Sequence, residues 1–465
     1  MFPLPYRKHA SRGGSVSDPI SSIVREPARI PGGEWFTGAG LGIFVHWDHA
    51  SQQGIEISWP LVGRSIIPGV DQPEDPVTVD EYQSSAPTFN PTRWDATALA
   101  RAAKDAGATY VVFTTRHHAG FSMFHTKHSD FGVEHGPFGR DIVREYADAV
   151  RAEGLRVGFY YSLSDWHHPD YPAFTDADRP YPAEHWPAAG RPENAGTPVA
   201  ADRHRRSTPE QWARYLDYLR GQLTELLTNY GTVDLLWFDG EWERSPAEWD
   251  AAGLRELIKS LQPDVVINER LPENGDYRTP EQAFPLTAPD GPWELCLTIG
   301  QMWGYRPADT KNKSARSLAV SLVEVVSRGG NLLLNVGPRG DGSLVEAQLD
   351  RLRDIGGWLA THAEAVVGVK PTTGVDFYGP TTAREGVVYL HLVNRPVEEI
   401  VVRGLPVRRI ANVRLVGTGA ALPYEIAFEV HEVSGDDAAE PLGEVRIAAP
   451  EPTGALIDVV AVEFA

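Results

Sequence analysis

Short, nearly continuous apolar runs alternate with longer amphipathic stretches up to about residue 365. Residues 41–47, 109–116, 156–162, 233–240, 265–270, 293–299 and 331–337 (LGIFVHW, TYVVFTTR, RVGFYYS, VDLLWFDG, VVINER, WELCLTI and NLLLNVG) read as strands covered on both faces, as in a parallel sheet. Between them, residues 208–230 place Trp212, Tyr215, Leu216, Leu219, Leu223, Leu226 and Leu227 at helical spacing. Thr208, Pro209 and Gln211 open that helix in capping-box order. Residues 141–153, 249–261, 314–328 and 344–362 carry similar patterns. Repeated βα units predict a (β/α)8-like barrel with one strand irregular or unseen in the pattern. A doubly wound open sheet is the other candidate, but no glycine-rich dinucleotide fingerprint follows the first strand.

After about residue 368 the helices stop. VVYLHLV, EIVVRG, ANVRLVG, YEIAFEVHEV, GEVRIAA and IDVVAVEF predict an antiparallel β-sandwich. The expected organisation is therefore a catalytic barrel with an N-terminal extension over 1–368 and a sandwich over 369–465, structural or auxiliary in sugar binding. Residues 163–207, rich in Pro, His and Trp and without a period, read as a functional lid or interface.

Composition removes several classes. Formal charge is −20 at pH 7, which disfavours nucleic acid and anionic membrane surfaces as partners. Cys296 is the single cysteine, so no intrachain disulfide is expected. The first residues, MFPLPYRKHASRGGSVSD, lack the apolar core of a secretory signal, and no apolar stretch is long enough to span a bilayer. A cytoplasmic location is the default expectation.

Chemistry on a barrel of this kind belongs at the C-terminal strand ends. The first run ends in His46 and Trp47, the second in Arg116, His117 and His118, the third in Tyr160 and Tyr161, the fourth in Trp237 and Asp239, and the fifth in Arg270; the sixth opens with Trp293 and Glu294. Singly, each has an ordinary structural reading as a core histidine, a space-filling aromatic or an ion-paired arginine. Together they suit a sugar, whose hydroxyls need fixed donors and acceptors and whose C–H faces pack on rings. No metal is expected. His117 and His118 are adjacent and so face opposite ways if on a strand, and no common zinc spacing occurs. No G-x-S-x-G elbow favours serine chemistry. Paired carboxylates, the usual apparatus of glycoside hydrolysis, fit better.

Six stretches then point one way: GIFVHW, TTRHHAGFSMFHTKHSDF, RDIVREYADAVRAEGLRVGFYYSLSDWHH, LLWFDGEW, PWELCLTIGQMWGY and SRGGNLLLNVGPRGDG. Together, over roughly residues 36–368, they strongly resemble the α-L-fucosidases of glycoside hydrolase family 29. The resemblance implies a retaining exo-glycosidase that removes terminal α-L-fucose from glycans or glycoconjugates with no metal or organic cofactor; an oligomer is possible. It implies that Asp239, in the W-x-D motif, is the nucleophile. His46, His117, His118, Tyr160, Trp237 and Arg270 match positions that bind the fucose ring, and Glu56 and Trp59 resemble the family's early Glu/Trp contacts. Glu294 in the W-E motif is the expected acid/base, with Glu281 in RTPEQ as rival. Asp48 stands where Gly is usual and Ala119 where Asp is usual. The alternatives are an exo-glycosidase for another sugar, such as an α-L-galactoside, and a non-catalytic carbohydrate-binding protein.

Overall fold

The computed structural model describes residues 20–62, 77–171, 207–430 and 442–465. Most of the expected lid, residues 172–206, lies outside the described residues, as does the chain before residue 20. Seven parallel strands, β1 (Leu41–Val45), β2 (Tyr110–Arg116), β3 (Arg156–Ser162), β4 (Leu235–Asp239), β5 (Val266–Ile267), β6 (Glu294–Thr298) and β7 (Asn331–Val336), form one sheet in the order β5-β4-β3-β2-β1-β7-β6. Between them run α1 (Val79–Gln83), α2 (Ala96–Asp105), α3 (Ile142–Ala152), α4 (Pro209–Asn229), α5 (Ala251–Leu261) and α6 (Ala315–Ser327), with α7 (Glu346–His362) after β7. The cap of α4 is the one its sequence encodes: Thr208 Oγ1 accepts from the Gln211 amide and Gln211 Oε1 accepts from the Thr208 amide.

The two edges, β5 and β6, are joined by residues 276–282. The Asp276 amide donates to the Ile267 carbonyl at 2.6 Å and the Glu269 amide to the Tyr277 carbonyl at 2.8 Å. On the other side the Glu294 amide donates to Arg278 at 2.8 Å, the Cys296 amide to Pro280 at 3.1 Å and the Gln282 amide to Cys296 at 2.9 Å. This segment closes the ring as an irregular eighth strand. Its polar, proline-containing sequence, DYRTPEQ, carries no strand pattern.

Alternate residues fill the barrel: Phe44, Tyr110, Val112, Tyr160, Leu235, Trp237, Cys296 and Leu333 belong to one inner cluster. Space for Tyr110 exists because β1 carries Gly42 opposite it, where a Cβ would come within 2.3 Å of the tyrosine ring. The tyrosine therefore lies across the barrel floor.

Beyond α7 the sheets become antiparallel. β8 (Lys370–Pro371), β9 (Thr381–Arg384), β10 (Val387–Leu392), β12 (Ile410–Leu415) and β15 (Asp458–Phe464) make one sheet, and β11 (Glu399–Pro406), β13 (Tyr424–Val430) and β14 (Leu442–Ala448) another. Val388, Leu390, Val402, Val413, Val445, Ile447, Val460 and Val462 share the core of this sandwich. Ile20 and Ile23 join that core, and the Arg25 amide donates to the Pro371 carbonyl at 2.9 Å. The chain ahead of β1 thus stitches the two units. Among the described residues no helix is long and apolar enough to cross a membrane.

Candidate active site

Asp239 ends β4, and Gly240, in a left-handed conformation at φ 76°, turns the chain directly after it. A side chain there would meet Ser164 Oγ at 2.4 Å, so glycine satisfies both the turn and the close approach. The Asp239 carboxylate is held on both oxygens. Arg270 Nη1 donates to Oδ1 at 2.7 Å, Tyr160 Oη donates to Oδ2 at 2.9 Å, and His118 Nε2 lies 3.5 Å from Oδ2. Burial opposes the charge on Arg270, but Asp239 and Glu281 outweigh it and keep the guanidinium cationic.

The three histidines are each fixed through Nδ1. His46 meets Asn335 Oδ1 at 2.7 Å, His117 meets Ser58 Oγ at 2.6 Å, and His118 meets Ser162 Oγ at 2.6 Å. An amide oxygen only accepts, so His46 carries its proton on Nδ1 and presents a bare Nε2 lone pair. Burial pushes His46 down to about 4, and burial with neighbouring cationic or imidazole groups holds His117 and His118 well below the ordinary histidine value. At neutral pH the pocket offers uncharged imidazoles, suited to sugar hydroxyls. His117 and His118 do not face apart as a strand would require. β2 ends at Arg116, both rings leave a turn, and their centroids lie 4.2 Å apart. Donor atoms of His117, His118 and Asp239 consequently fall within 4.8 Å of one another, a spacing open to a cation. Arg270 already supplies the charge complement to Asp239.

The structure separates the two candidate acids. Glu281, in the closing segment, accepts from Arg270 Nη2 at 2.7 Å, so one guanidinium bridges it to Asp239. Its side chain is 17% exposed and that of Asp239 11%. Glu294 instead opens β6, at the N-terminal end of the barrel, and is wholly buried. Tyr110 Oη donates to its Oε2, and Trp237 Nε1 donates to its Oε1 at 3.1 Å. The indole of Trp237 stands between Glu294 and Arg270, whose guanidinium carbon lies 4.5 Å from the ring centroid. This placement argues against the expectation that Glu294 serves as acid/base, because the acid opens a strand and the Trp237 indole lies between it and Arg270.

Glu56 accepts from three backbone amides. Its Oε1 accepts from the amides of Ile57 at 2.8 Å and Gly304 at 2.6 Å, and its Oε2 from that of Trp303 at 2.9 Å. It therefore fixes Trp303, whose ring lies 4.8 Å from that of His46. Burial raises the Glu56 acid to about 7 against those hydrogen bonds. Trp59 packs near His118 at 5.5 Å and lies parallel to Trp242 at 6.3 Å, forming an aromatic wall. Of the two departures from the family pattern, Asp48 caps the turn His49–Gln52 by accepting from the Ala50 amide at 2.8 Å, and Ala119 donates its amide to Ser58 Oγ at 2.8 Å.

Residues not nominated from sequence complete the pocket: Trp303, Ser58, Ser162 and Asn335. Trp303 sits inside the quoted QMWGY stretch, but the serines and asparagine carry no pattern of their own. Ser58 has φ 59° and Gln282, next to Glu281, φ 58°, two of the four non-glycine residues with positive φ among those described. Such conformations persist where surrounding structure enforces them.

Arg116 turns away from the pocket. It pairs with Asp165 and lies 4.3 Å over the Tyr161 ring, with both charged groups buried. Burial pushes the Asp165 acid up, but Arg116 and the nearby histidines hold it below its ordinary value. Arg116→Met leaves that carboxylate without its cation and is expected to cost about 3–5 kcal/mol, read as a lowered urea midpoint.

Comparison with known proteins follows the same lines. A family model described as alpha-L-fucosidase matches residues 19–364. The chain is 32% identical to the tissue alpha-L-fucosidase of Bos taurus over 357 residues, 72% of this chain and 69% of that protein. It is 28% identical to the alpha-L-fucosidase of Dictyostelium discoideum over 428 residues, 86% of this chain and 85% of that one. Among solved structures, alpha-L-fucosidase isoenzyme 1 from Paenibacillus thiaminolyticus superposes with a TM-score of 0.74 at 32% identity, covering 93% of this chain and 98% of that chain.

Proposed function

We propose, from the fact that this chain belongs to the alpha-L-fucosidase family, that Asp239 and Glu281 hydrolyse terminal α-L-fucosides by a retaining double displacement. The chain is a glycoside hydrolase of exo type, and its substrate is a fucosylated oligosaccharide or glycoconjugate. The observation that carries the residue assignment is the bridge Asp239–Arg270–Glu281, which brings two partly open carboxyl groups to one guanidinium. Retaining enzymes require their two carboxyls only about 5–5.5 Å apart.

In the first step Asp239 attacks the anomeric carbon while Glu281, protonated, donates to the leaving oxygen; the glycosidic bond breaks and a fucosyl ester forms. In the second step Glu281, now ionised, takes a proton from water. The water oxygen attacks the anomeric carbon and Asp239 leaves as carboxylate. Two inversions give net retention. Arg270 and Tyr160 orient Asp239 and stabilise its charge whenever it is free. His46 and His117 present imidazole nitrogens to the ring hydroxyls, and Trp303 supports the apolar side on which a 6-deoxy sugar carries its methyl group.

Turnover on a panel of aryl glycosides tests the reading. The expected result is hydrolysis of the α-L-fucoside, with NMR of the first-formed sugar showing the α anomer. Faster hydrolysis of an α-L-galactoside would reassign the sugar, and a β product would remove the retaining mechanism.

A further inference from the structure

Glu294 is a buried acid that the mechanism above does not use, and its surroundings are unusually specific. Both of its oxygens are engaged by side-chain donors, Tyr110 Oη on one and Trp237 Nε1 on the other. Trp237 in turn carries the two groups that hold Asp239. Its ring lies 4.5 Å beneath the Arg270 guanidinium carbon and stacks on Tyr160 at 5.5 Å with an interplanar angle of 18°. Tyr160 continues the stack to His117, at 5.1 Å and 6°. The indole is therefore the shelf on which the cation and the phenol are set, and a tilt of the shelf displaces both.

We infer that Glu294 is a positioning residue, which fixes the rotation of the Trp237 indole and through it the placement of Arg270 and Tyr160 on Asp239. The inference rests on the fucosidase reading of this site and deepens it. An aligned acceptor at this spot leaves the indole one orientation that satisfies its N–H, and an unsatisfied buried N–H is strongly disfavoured. Rotating the ring away from Glu294 would orphan the indole N–H and leave one oxygen of the acid without its donor. Burial raises the Glu294 acid to about 8, against the two donors, and an amide at this position keeps an oxygen to accept from the indole. Tyr110 reaches the acid only because Gly42 vacates the barrel floor, which ties the device to the barrel's own packing.

The test uses the full-length enzyme with Glu294→Leu, Glu294→Gln, Trp237→Phe and the Leu/Phe double variant. Glu294→Leu removes the acceptor and is expected to lower kcat/KM on the order of 10²-fold per folded molecule, the scale of an ångström-sized misplacement at a reacting centre. The loss should be equal on an oligosaccharide and on an activated aryl fucoside, with no rescue by azide. Glu294→Gln, which still accepts from the indole, should recover most of that loss. Trp237→Phe should lose a similar factor, and the double variant should lose no more than the larger single loss, since both break one device. A merely structural acid would lower the melting temperature in Glu294→Leu without changing turnover per folded molecule, and that result, or additive losses, overturns the inference. Leaving-group-selective loss with azide rescue in Glu294→Leu also overturns it. Should Glu294→Leu not fold, a Glu294→Gln variant as impaired as Trp237→Phe overturns it, and an active Glu294→Gln beside an impaired Trp237→Phe sustains it. Failure of the fucosidase reading is distinct: the wild-type enzyme would then turn over no fucoside.

Discussion

Asp239→Asn should lose turnover by about 10⁴-fold or more, the scale on which removal of a nucleophile is felt, while the protein stays folded. The amide is nearly isosteric, and its oxygen still accepts from Arg270 in place of Oδ1. Arg270 also keeps its second partner, Glu281, so the substitution does not strand a buried cation. What disappears is the capacity to form an ester with the anomeric carbon, and nothing else in the pocket replaces it. The measurement is kcat on an aryl α-L-fucoside beside a thermal unfolding curve. A 2-fluorinated fucosyl donor, whose ester intermediate hydrolyses slowly, should label Asp239 in the wild type. Near wild-type turnover in the variant, or a label mapped to Glu241 or Glu243, would show that another acid in DGEWE is the nucleophile.

The legible part of this protein is the part whose hydrogen-bond partners are regular. Strands β1 to β4, β6 and β7 show themselves as apolar runs because both faces are covered, and the helix α4 announces its start through Thr208 and Gln211. The eighth strand does not. Its partners are the carbonyls and amides of residues 267, 269 and 294–296, and nothing in DYRTPEQ records that they will be there. Glu281 lies in that segment, so RTPEQ nominates it only as the rival to Glu294 and no strand pattern places it beside Asp239. Trp293 and Glu294 begin an apolar run, and in a barrel whose chemistry lies at the C-terminal strand ends a residue that opens a strand belongs to the floor. The W-E motif points the other way, and position in the strand is the argument against it. Alternation places His117 and His118 on opposite faces only if the strand runs through them; β2 stops one residue earlier, at Arg116, and the alternation stops with it. Asp239, His46, His117 and His118 are legible because each ends or closely follows a strand, and Arg270 lies three residues beyond β5, where sequence order is already spatial order.

Glu281→Ala is expected to divide substrates by their need for a proton. A natural sugar alcohol is a poor leaving group, so kcat/KM on a fucosylated oligosaccharide should fall by about 10²–10⁴-fold, the range over which general acid catalysis acts. An activated aryl group leaves as a stable anion, and kcat/KM for its fucoside, which reports the first step, should be little changed. The second step still lacks its base, so kcat on the aryl substrate should fall as the ester accumulates. Azide needs no base; it should restore kcat on that substrate and yield α-fucosyl azide, the product of a second inversion. Although the substitution takes one acceptor from Arg270, the guanidinium still pairs with Asp239, which is why the first step survives when protonation is not needed. If Glu294→Ala gives this pair of behaviours and Glu281→Ala does not, a proton route through the Trp237 wall must exist and the acid/base assignment moves to the barrel floor.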